Sequence, residues 1–165
     1  MNKDWKARLA AEIRGAQRVV LLGVGNSDRG DDGAGPLCAR MAAEKLGSGA
    51  AERALVLDGR EVPESLTGTI RKFAPDLTIV VDAAGGGHEP GTIFLVERDK
   101  IADEGISTHH ISLLHLVRYL QDSIGARVLV VGIEPRLRED GAPMSPAVAS
   151  AAERLADFLA ATLLP

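Results

Sequence analysis

The sequence predicts a single α/β domain over residues 1–165, with a mostly parallel, twisted five-stranded sheet, helices on both faces and one antiparallel edge strand. Three observations predict this fold class. Five short runs rich in valine, isoleucine and leucine have the length and composition of buried strands. Segments with helical spacing of apolar residues separate most of these runs, as the crossovers of a parallel sheet require. The chain of 165 residues, with 45% hydrophobic and 25% charged residues, is large enough for one core and has an ordinary globular composition.

Helix and strand patterns alternate through the first half of the chain. Trp5, Leu9 and Ile13 recur on one helical face, which predicts an N-terminal helical extension over residues 1–16. Pro36 suits the first turn of a helix, where a backbone N–H has no partner to lose. The predicted elements are, in order, a helix at 4–15, a strand at 17–24, a helix at 36–46, a strand at 54–57 and a short helix at 62–73 that Thr67-Gly68-Thr69 interrupts.

The second half of the chain begins with strand three, an apolar run at 77–81 that ends on Asp82. The glycine-rich stretch at 85–91 is typical of a turn, and its shortness predicts that strand four pairs antiparallel with strand three in a hairpin. Ser145 and Pro146 suit the N-cap and first position of the last helix. The remaining predicted elements are strand four at 92–97, a helix that follows residues 107–110, strand five at 126–131 and the last helix from residue 146.

Composition and charge narrow the kinds of partner. A net charge of −4 argues against nucleic acid as the main partner, because phosphate backbones attract basic surfaces. The N-terminus carries charges throughout and lacks the apolar core of a signal peptide, and no apolar run approaches the roughly 18 residues of a membrane span. Cys38, the single cysteine, cannot form a disulfide within the chain and is expected to be a core residue. We therefore expect a cytoplasmic enzyme or binding protein without membrane insertion.

The loop after strand one, residues 23–35, is the most informative stretch. Its glycines allow a tight fold, and Asp28, Asp31 and Asp32 fall within five residues of one another. Carboxylates crowded in this way repel one another unless a cation, a proton or a cationic partner relieves them. The loop is therefore interpreted as half of a functional site.

The other half of the site is expected where the remaining parallel strands end. Ligands of such sheets bind beyond the carboxyl ends of the strands. That edge should carry Asp32 after strand one, Asp82 after strand three and His109 in the loop before a helix. Two carboxylates and an imidazole suit a borderline divalent metal such as nickel, zinc or iron. Without a metal, the two carboxylates could share a proton and act as an acid–base pair.

Each of these residues also has a structural interpretation. Asp31 is expected mainly to turn the loop or cap the following helix, and Asp32 could do the same. Asp82 could accept hydrogen bonds from nearby backbone N–H groups, and His109 could be a solvated residue at a helix start. Spacing alone leaves these alternatives open.

A dinucleotide site is the rival interpretation of the same loop. Gly23-Val24-Gly25 after a strand begins a phosphate-binding fingerprint, but Asp28 replaces its third glycine. The acids that follow would repel a pyrophosphate, which binds backbone N–H groups at a helix N-terminus. Asp58 could contact a ribose, yet it lies 33 positions after Gly25 rather than about 20.

A longer motif in the loop resembles a known family. The pattern Gly23-x-Gly25-Asn26-x-x-x-Gly30-Asp31-Asp32-Gly33-x-Gly35 is similar to the signature of the hydrogenase maturation endopeptidases, which process the large subunit of [NiFe] hydrogenases. The similarity is closest to the branch that matures formate-hydrogenlyase-type and related energy-conserving hydrogenases. Further matches follow in order: Asp58-Gly59, Val80-Val81-Asp82-Ala83, Glu89-Pro90-Gly91, Ser107-Thr108-His109, Gly132-Ile133-Glu134-Pro135 and Met144-Ser145-Pro146.

The resemblance implies a substrate and a set of site residues. It implies an aspartyl-type endopeptidase that removes a C-terminal extension from the hydrogenase large-subunit precursor once nickel has been inserted. The nickel comes with the substrate and is the recognition signal, so the isolated enzyme can be metal-free. Carried over by position, the residues that contact it are Asp32, Asp82 and His109, with Asp58 as a further candidate acid. His110 follows His109 directly, so either histidine could be the ligand.

Two other functions stay open at this point. A non-enzymatic nickel- or nucleotide-binding module could use the same fold, and a metal hydrolase of small molecules could use the same residues. A serine or cysteine nucleophile is not expected, because no Ser-His or Cys-His pair is evident. The stretch at 83–88, after Asp82, is more glycine-rich than the resemblance leads us to expect.

Overall fold

A computed structural model describes residues 4–101 and 110–165, with the backbone alone at 110–112. Its strands are β1 (Val19–Val24), β2 (Ala54–Arg60), β3 (Leu77–Ala83), β4 (Ile93–Val96) and β5 (Arg127–Ile133). Its α-helices are α1 (Trp5–Arg14), α2 (Ala34–Leu46), α3 (Thr67–Phe73), α4 (His110–Tyr119) and α5 (Pro146–Leu163). The strands form one sheet in the order β2-β1-β3-β5-β4, parallel except for the pair β4–β5. The predicted fold class is confirmed.

Helices cover both faces of the sheet, and this explains why the strands are apolar on both sides. On the first face, Leu21 and Ile79 pack with Leu155 among residues of α1, α2 and α5. On the second face, Val80 packs with Leu116 among residues of α3 and α4. Successive residues of a strand point to opposite faces, so buried strands in such a sheet carry apolar residues throughout.

The position of β4 corrects one prediction. Strand four is antiparallel and lies at the sheet edge, as expected, but it pairs with β5 and not with β3. β5 lies between them and runs parallel to β3. The connection at 84–92 is longer than a tight hairpin turn, so it can pass over an intervening strand.

Two helical predictions are refined. The interruption expected at Thr67-Gly68-Thr69 is wrong, because α3 runs through these residues and a 3₁₀ turn at Pro63–Leu66 precedes it. The N-terminal helix is present as α1, and its Leu9 and Ile13 are buried against the core. A π-helical turn, Leu120–Ile124, extends α4 toward β5. Among the described residues, no helix combines the length and apolar character needed to cross a membrane.

Candidate functional site

Four buried carboxylates lie at one edge of the sheet. They belong to Asp31, Asp32, Asp82 and Glu134, and they are the only buried carboxylates in the part of the chain whose side chains the structure describes. Asp31 and Asp32 follow β1, Asp82 lies near the end of β3, and Glu134 follows β5. This edge, where the parallel strands end, is called the carboxyl edge below. Asp32 and Asp82 thus lie at the edge of the sheet where the sequence places them.

Asp32 is held inside a tightly folded loop. It lies in a 3₁₀ turn, Gly30–Gly33, that leads into α2, and its Oδ2 accepts a hydrogen bond from the Asn26 N–H at 3.0 Å. Gly25 has a φ of 144°, and a Cβ there would lie 1.9 Å from the Asp32 carbonyl oxygen. Only glycine fits this position, so the glycines of the motif serve the close folding of the loop around Asp32.

Asp82 lies on the neighbouring strand. Residues alternate along β3, and Val80 packs on the second face, so Asp82 also points to that face. The 3₁₀ turn that carries Asp32 contacts β3. The start of α2 lies close as well, because a Cβ on Gly35 would be 2.3 Å from the Val81 carbonyl oxygen. The structure thus places Asp32 in the turn that follows β1 and Asp82 near the end of the adjacent strand β3.

His109, the third predicted site residue, lies outside the described residues. Its proximity to the carboxylates of Asp32 and Asp82 therefore stays a prediction. Helix α4 begins at His110, the alternative ligand, and packs on the second face, to which Asp82 also points. Within the described part of the chain, no three His, Cys, Asp or Glu side chains form a group that could hold a metal ion.

Asp31 has a larger role than the turn or cap expected from the sequence. Its carboxylate accepts hydrogen bonds from the N–H groups of Arg136 (2.8 Å) and Leu137 (2.9 Å) and from the N–H (2.6 Å) and hydroxyl (2.8 Å) of Ser145. Its own N–H donates to the Leu137 carbonyl oxygen at 2.8 Å. Asp31 therefore fastens the β5–α5 connection to the turn that carries Asp32.

These contacts lower the pKa of Asp31. Burial by itself raises the pKa of the carboxyl, because it disfavours the charged form. The hydrogen bonds from Leu137, Ser145 and Arg136 favour the carboxylate and outweigh burial, so the pKa lies below its ordinary value. Asp31 is thus a structural anion, already bound by four donors, and we do not assign it to the reaction.

Glu134 is the residue that sequence reasoning passed over. Glu134 belongs to one of the motifs that match the family, and its carboxylate follows a buried strand. The sequence led us to predict no function for this carboxylate. Its Oε2 accepts a hydrogen bond from the Gly86 N–H at 2.6 Å. The signal that singled out Asp82, a carboxylate directly after an apolar strand, applies equally to Glu134.

Asp58, the further candidate acid, lies apart from the other carboxylates. It lies near the end of the edge strand β2 and forms an ion pair with Arg40 of α2, with Nη1 and Oδ2 separated by 3.3 Å. Because α2 covers the first face, Asp58 and Asp82 point to opposite sides of the sheet. This geometry does not bring Asp58 to the same site.

Comparison with known proteins identifies the family. The family model described as hydrogenase maturation protease matches residues 40–162. Hydrogenase 3 maturation protease of Escherichia coli strain K12 is 38% identical over 135 residues, which cover 81% of this chain and 83% of the relative. This chain therefore belongs to the hydrogenase maturation protease family, because it matches the family model over most of its length and a curated relative at 38% identity.

Solved structures agree with this assignment. The crystal structure of a [NiFe] hydrogenase maturation protease from Thermococcus kodakarensis KOD1 matches with a TM-score of 0.85 and 33% identity, covering 94% of this chain and 98% of that one. The solution structure of an Escherichia coli endopeptidase, HycI, matches with a TM-score of 0.76 and 36% identity, covering 87% and 90%. The protein is thus an enzyme, a peptidase of hydrogenase maturation.

Proposed function

We propose that this peptidase removes the C-terminal extension of a [NiFe]-hydrogenase large-subunit precursor, and that it recognises the nickel already inserted in that precursor. The observation that carries the proposal is the pair of buried carboxylates, Asp32 in the turn that follows β1 and Asp82 near the end of the adjacent strand β3. The names of the relatives support the substrate class, since one is a hydrogenase 3 maturation protease and another a [NiFe] hydrogenase maturation protease.

In this proposal the two carboxylates and His109 contact the nickel of the bound precursor. Carboxylate oxygens and an imidazole nitrogen are suitable ligands for such an ion. In their ionised form the two carboxylates attract a cation that the substrate brings, and their burial strengthens the attraction because water screens it less. Contact with an ion fixed in the precursor holds the scissile bond in one place, which converts recognition into orientation.

Hydrolysis in this scheme uses water and no covalent intermediate. The ion or a neighbouring carboxylate activates the water for attack on the scissile carbonyl. Cys38 is excluded as a nucleophile, because it is fully buried on the first face and burial raises the pKa of its thiol to about 12. At neutral pH that thiol carries no appreciable thiolate.

The test measures the mass of a nickel-loaded large-subunit precursor before and after incubation with the purified protein. The unsubstituted protein should release the extension, and Asp32→Asn, Asp82→Asn and His109→Ala should each abolish release while remaining folded. Omitting nickel from the precursor should also prevent release. Matched controls are Asp28→Asn, an exposed acid of the same loop, and His115→Ala, an exposed histidine of α4; both should trim normally.

Two outcomes would reject the proposal. Normal trimming by all three site variants would show that these residues are not the nickel contacts. Tight binding of nickel by the unsubstituted protein with no change in precursor mass would favour the alternative, a nickel-binding module.

A further inference from the structure

Glu134 holds the loop that contains the three consecutive glycines at 85–87. The Gly86 N–H donates to Glu134 Oε2 at 2.6 Å, and the Glu134 carboxylate is buried while Gly86 is exposed. The backbone of Glu134 holds the far end of the same loop: its N–H donates to the Thr92 carbonyl oxygen at 2.9 Å, and its carbonyl oxygen accepts from the Gly91 N–H at 2.8 Å. Glu134 therefore fixes the 84–92 loop at three points.

A loop of this composition needs such an anchor. Glycine has the largest conformational freedom of any residue, so a run of three loses the most entropy when it becomes ordered. Gly87 has a φ of 77°, and no atom beyond its own residue and its two chain neighbours lies within 4 Å of the position its Cβ would occupy, so nothing else packs against Gly87. A short hydrogen bond to a carboxylate is about twice as strong as one between neutral groups. The Gly86–Glu134 bond thus opposes the mobility that the glycines introduce.

The anchored loop is continuous with the strand that carries Asp82. In the sheet, Asp82 pairs with Gly132, and Glu134 follows two residues later on the same chain segment. The Ala84 N–H donates to the Ile133 carbonyl oxygen at 3.1 Å, so the chain leaves β3 along β5. The loop therefore begins two residues after Asp82 and is tied at that point to the backbone of β5.

We infer that Glu134 is a positioning residue for the peptidase reaction: it orders the glycine loop and thereby fixes Asp82 and the rim of the site that the precursor approaches. It acts as a hydrogen-bond acceptor and takes no part in proton transfer. This inference rests on the proposed function, because it assigns Glu134 to the site that contains Asp82.

The test compares three substitutions of Glu134 by their kcat and KM for trimming of the nickel-loaded precursor. Glu134→Gln keeps an oxygen that can accept the Gly86 N–H, so both constants should stay within about threefold of the unsubstituted protein. Glu134→Met keeps the length of the side chain and Glu134→Ala shortens it, and neither offers an acceptor. For both we expect kcat to fall about 10- to 100-fold with little change in KM, as for other residues that orient a ligand through a second group.

A second measurement reports on the loop itself. Amide hydrogen exchange at Gly86 should be slow in the unsubstituted protein and in Glu134→Gln, and faster in Glu134→Met, while amides of β1 keep their protection. Glu139→Ala is the matched control, because it removes an exposed carboxylate from the same β5–α5 connection and should change neither trimming nor exchange.

The outcomes separate this inference from the proposed function. If the unsubstituted protein does not trim the precursor, the proposed function fails and the inference with it. If it trims and Glu134→Met or Glu134→Ala trims equally well, only the positioning role is refuted. A loss in Glu134→Gln as large as in Glu134→Met would also refute it, because the charge and not the acceptor would then matter.

Discussion

Asp31→Asn is expected to lower both the stability of the fold and the trimming of the precursor. The Asp31 carboxylate is completely buried and accepts four hydrogen bonds between 2.6 and 2.9 Å. Asparagine keeps one acceptor oxygen and replaces the other with an NH₂ group. With the amide oxygen in the place of Oδ2, three of the four bonds persist but lose the strengthening from the negative charge, and the Ser145 N–H is left facing the NH₂ group.

The size of the effect follows from these bonds. A hydrogen bond to a charged group contributes about 1.5–3 kcal/mol, and contributions within one network are not additive. We expect the free energy of unfolding to fall by about 3–5 kcal/mol, a large share of the roughly 5–15 kcal/mol typical of natural proteins. For a chain of this length, that loss corresponds to a melting temperature lower by about 10 °C.

The stability difference should also depend on pH. The folded-state pKa of Asp31 lies below its ordinary value of 3.8, so the stability it contributes is complete above that value and is lost as the pH falls through the folded-state pKa. Asparagine does not titrate. The gap in unfolding free energy between the two proteins should therefore be constant from pH 7 to about 5 and narrow as the pH is lowered further.

Urea unfolding at pH 7, 5 and 3, together with the precursor trimming assay, measures both effects. Asp76→Asn is the matched control: Asp76 precedes β3 at the opposite edge and accepts the N–H groups of Gln17 and Arg18 at 2.9 Å. It should lower stability without slowing trimming by the folded protein, whereas Asp31→Asn should do both. A stability loss below about 0.5 kcal/mol in Asp31→Asn, or a gap that widens in acid, would refute the reasoning.

Two further predictions concern the packing of α2. Gly35→Ala should lower the free energy of unfolding in urea by about 3 kcal/mol and slow trimming. The reason is that the added Cβ would lie 2.3 Å from the Val81 carbonyl oxygen and 2.4 Å from the Val24 carbonyl oxygen. Unchanged stability would contradict this close packing. Cys38 should not react with a thiol reagent at pH 8 until urea unfolds the protein, because it is buried and its pKa is raised to about 12. Rapid labelling of the native protein would show that this part of the core is open.

The sheet and its edges were predictable to different degrees from the sequence. The uniformly apolar runs of β1 and β3 predict buried parallel strands, because only a sheet covered on both faces needs such residues. The neighbour of β4 was not predictable from its connection, since the length of a loop does not show whether a third strand enters between the two it joins. That choice depends on the pairing of β3 with β5, which is distant in sequence.

The site shows the same division. Asp82 is recognisable because it ends a buried strand, and Asp32 because it lies in a crowded acidic turn. The hydrogen-bond partners of Asp31 could not be predicted. Three of its four donors are backbone N–H groups that lie 105 to 114 positions away in the sequence, and a backbone N–H leaves no signature in residue type. The anchoring role of Glu134 was hidden for the same reason, because its donor is the N–H of a glycine.

The place of β5 between β3 and β4 has a consequence for synthesis. As the chain leaves the ribosome, β3 and β4 are complete before β5 exists, so β3 has an open side and β4 has no strand to join. An exposed strand side is a template for pairing with another chain. The nascent protein is therefore exposed to pairing with other chains until residues 127–133 emerge. These residues form β5, which then pairs with β3 on one side and with β4 on the other.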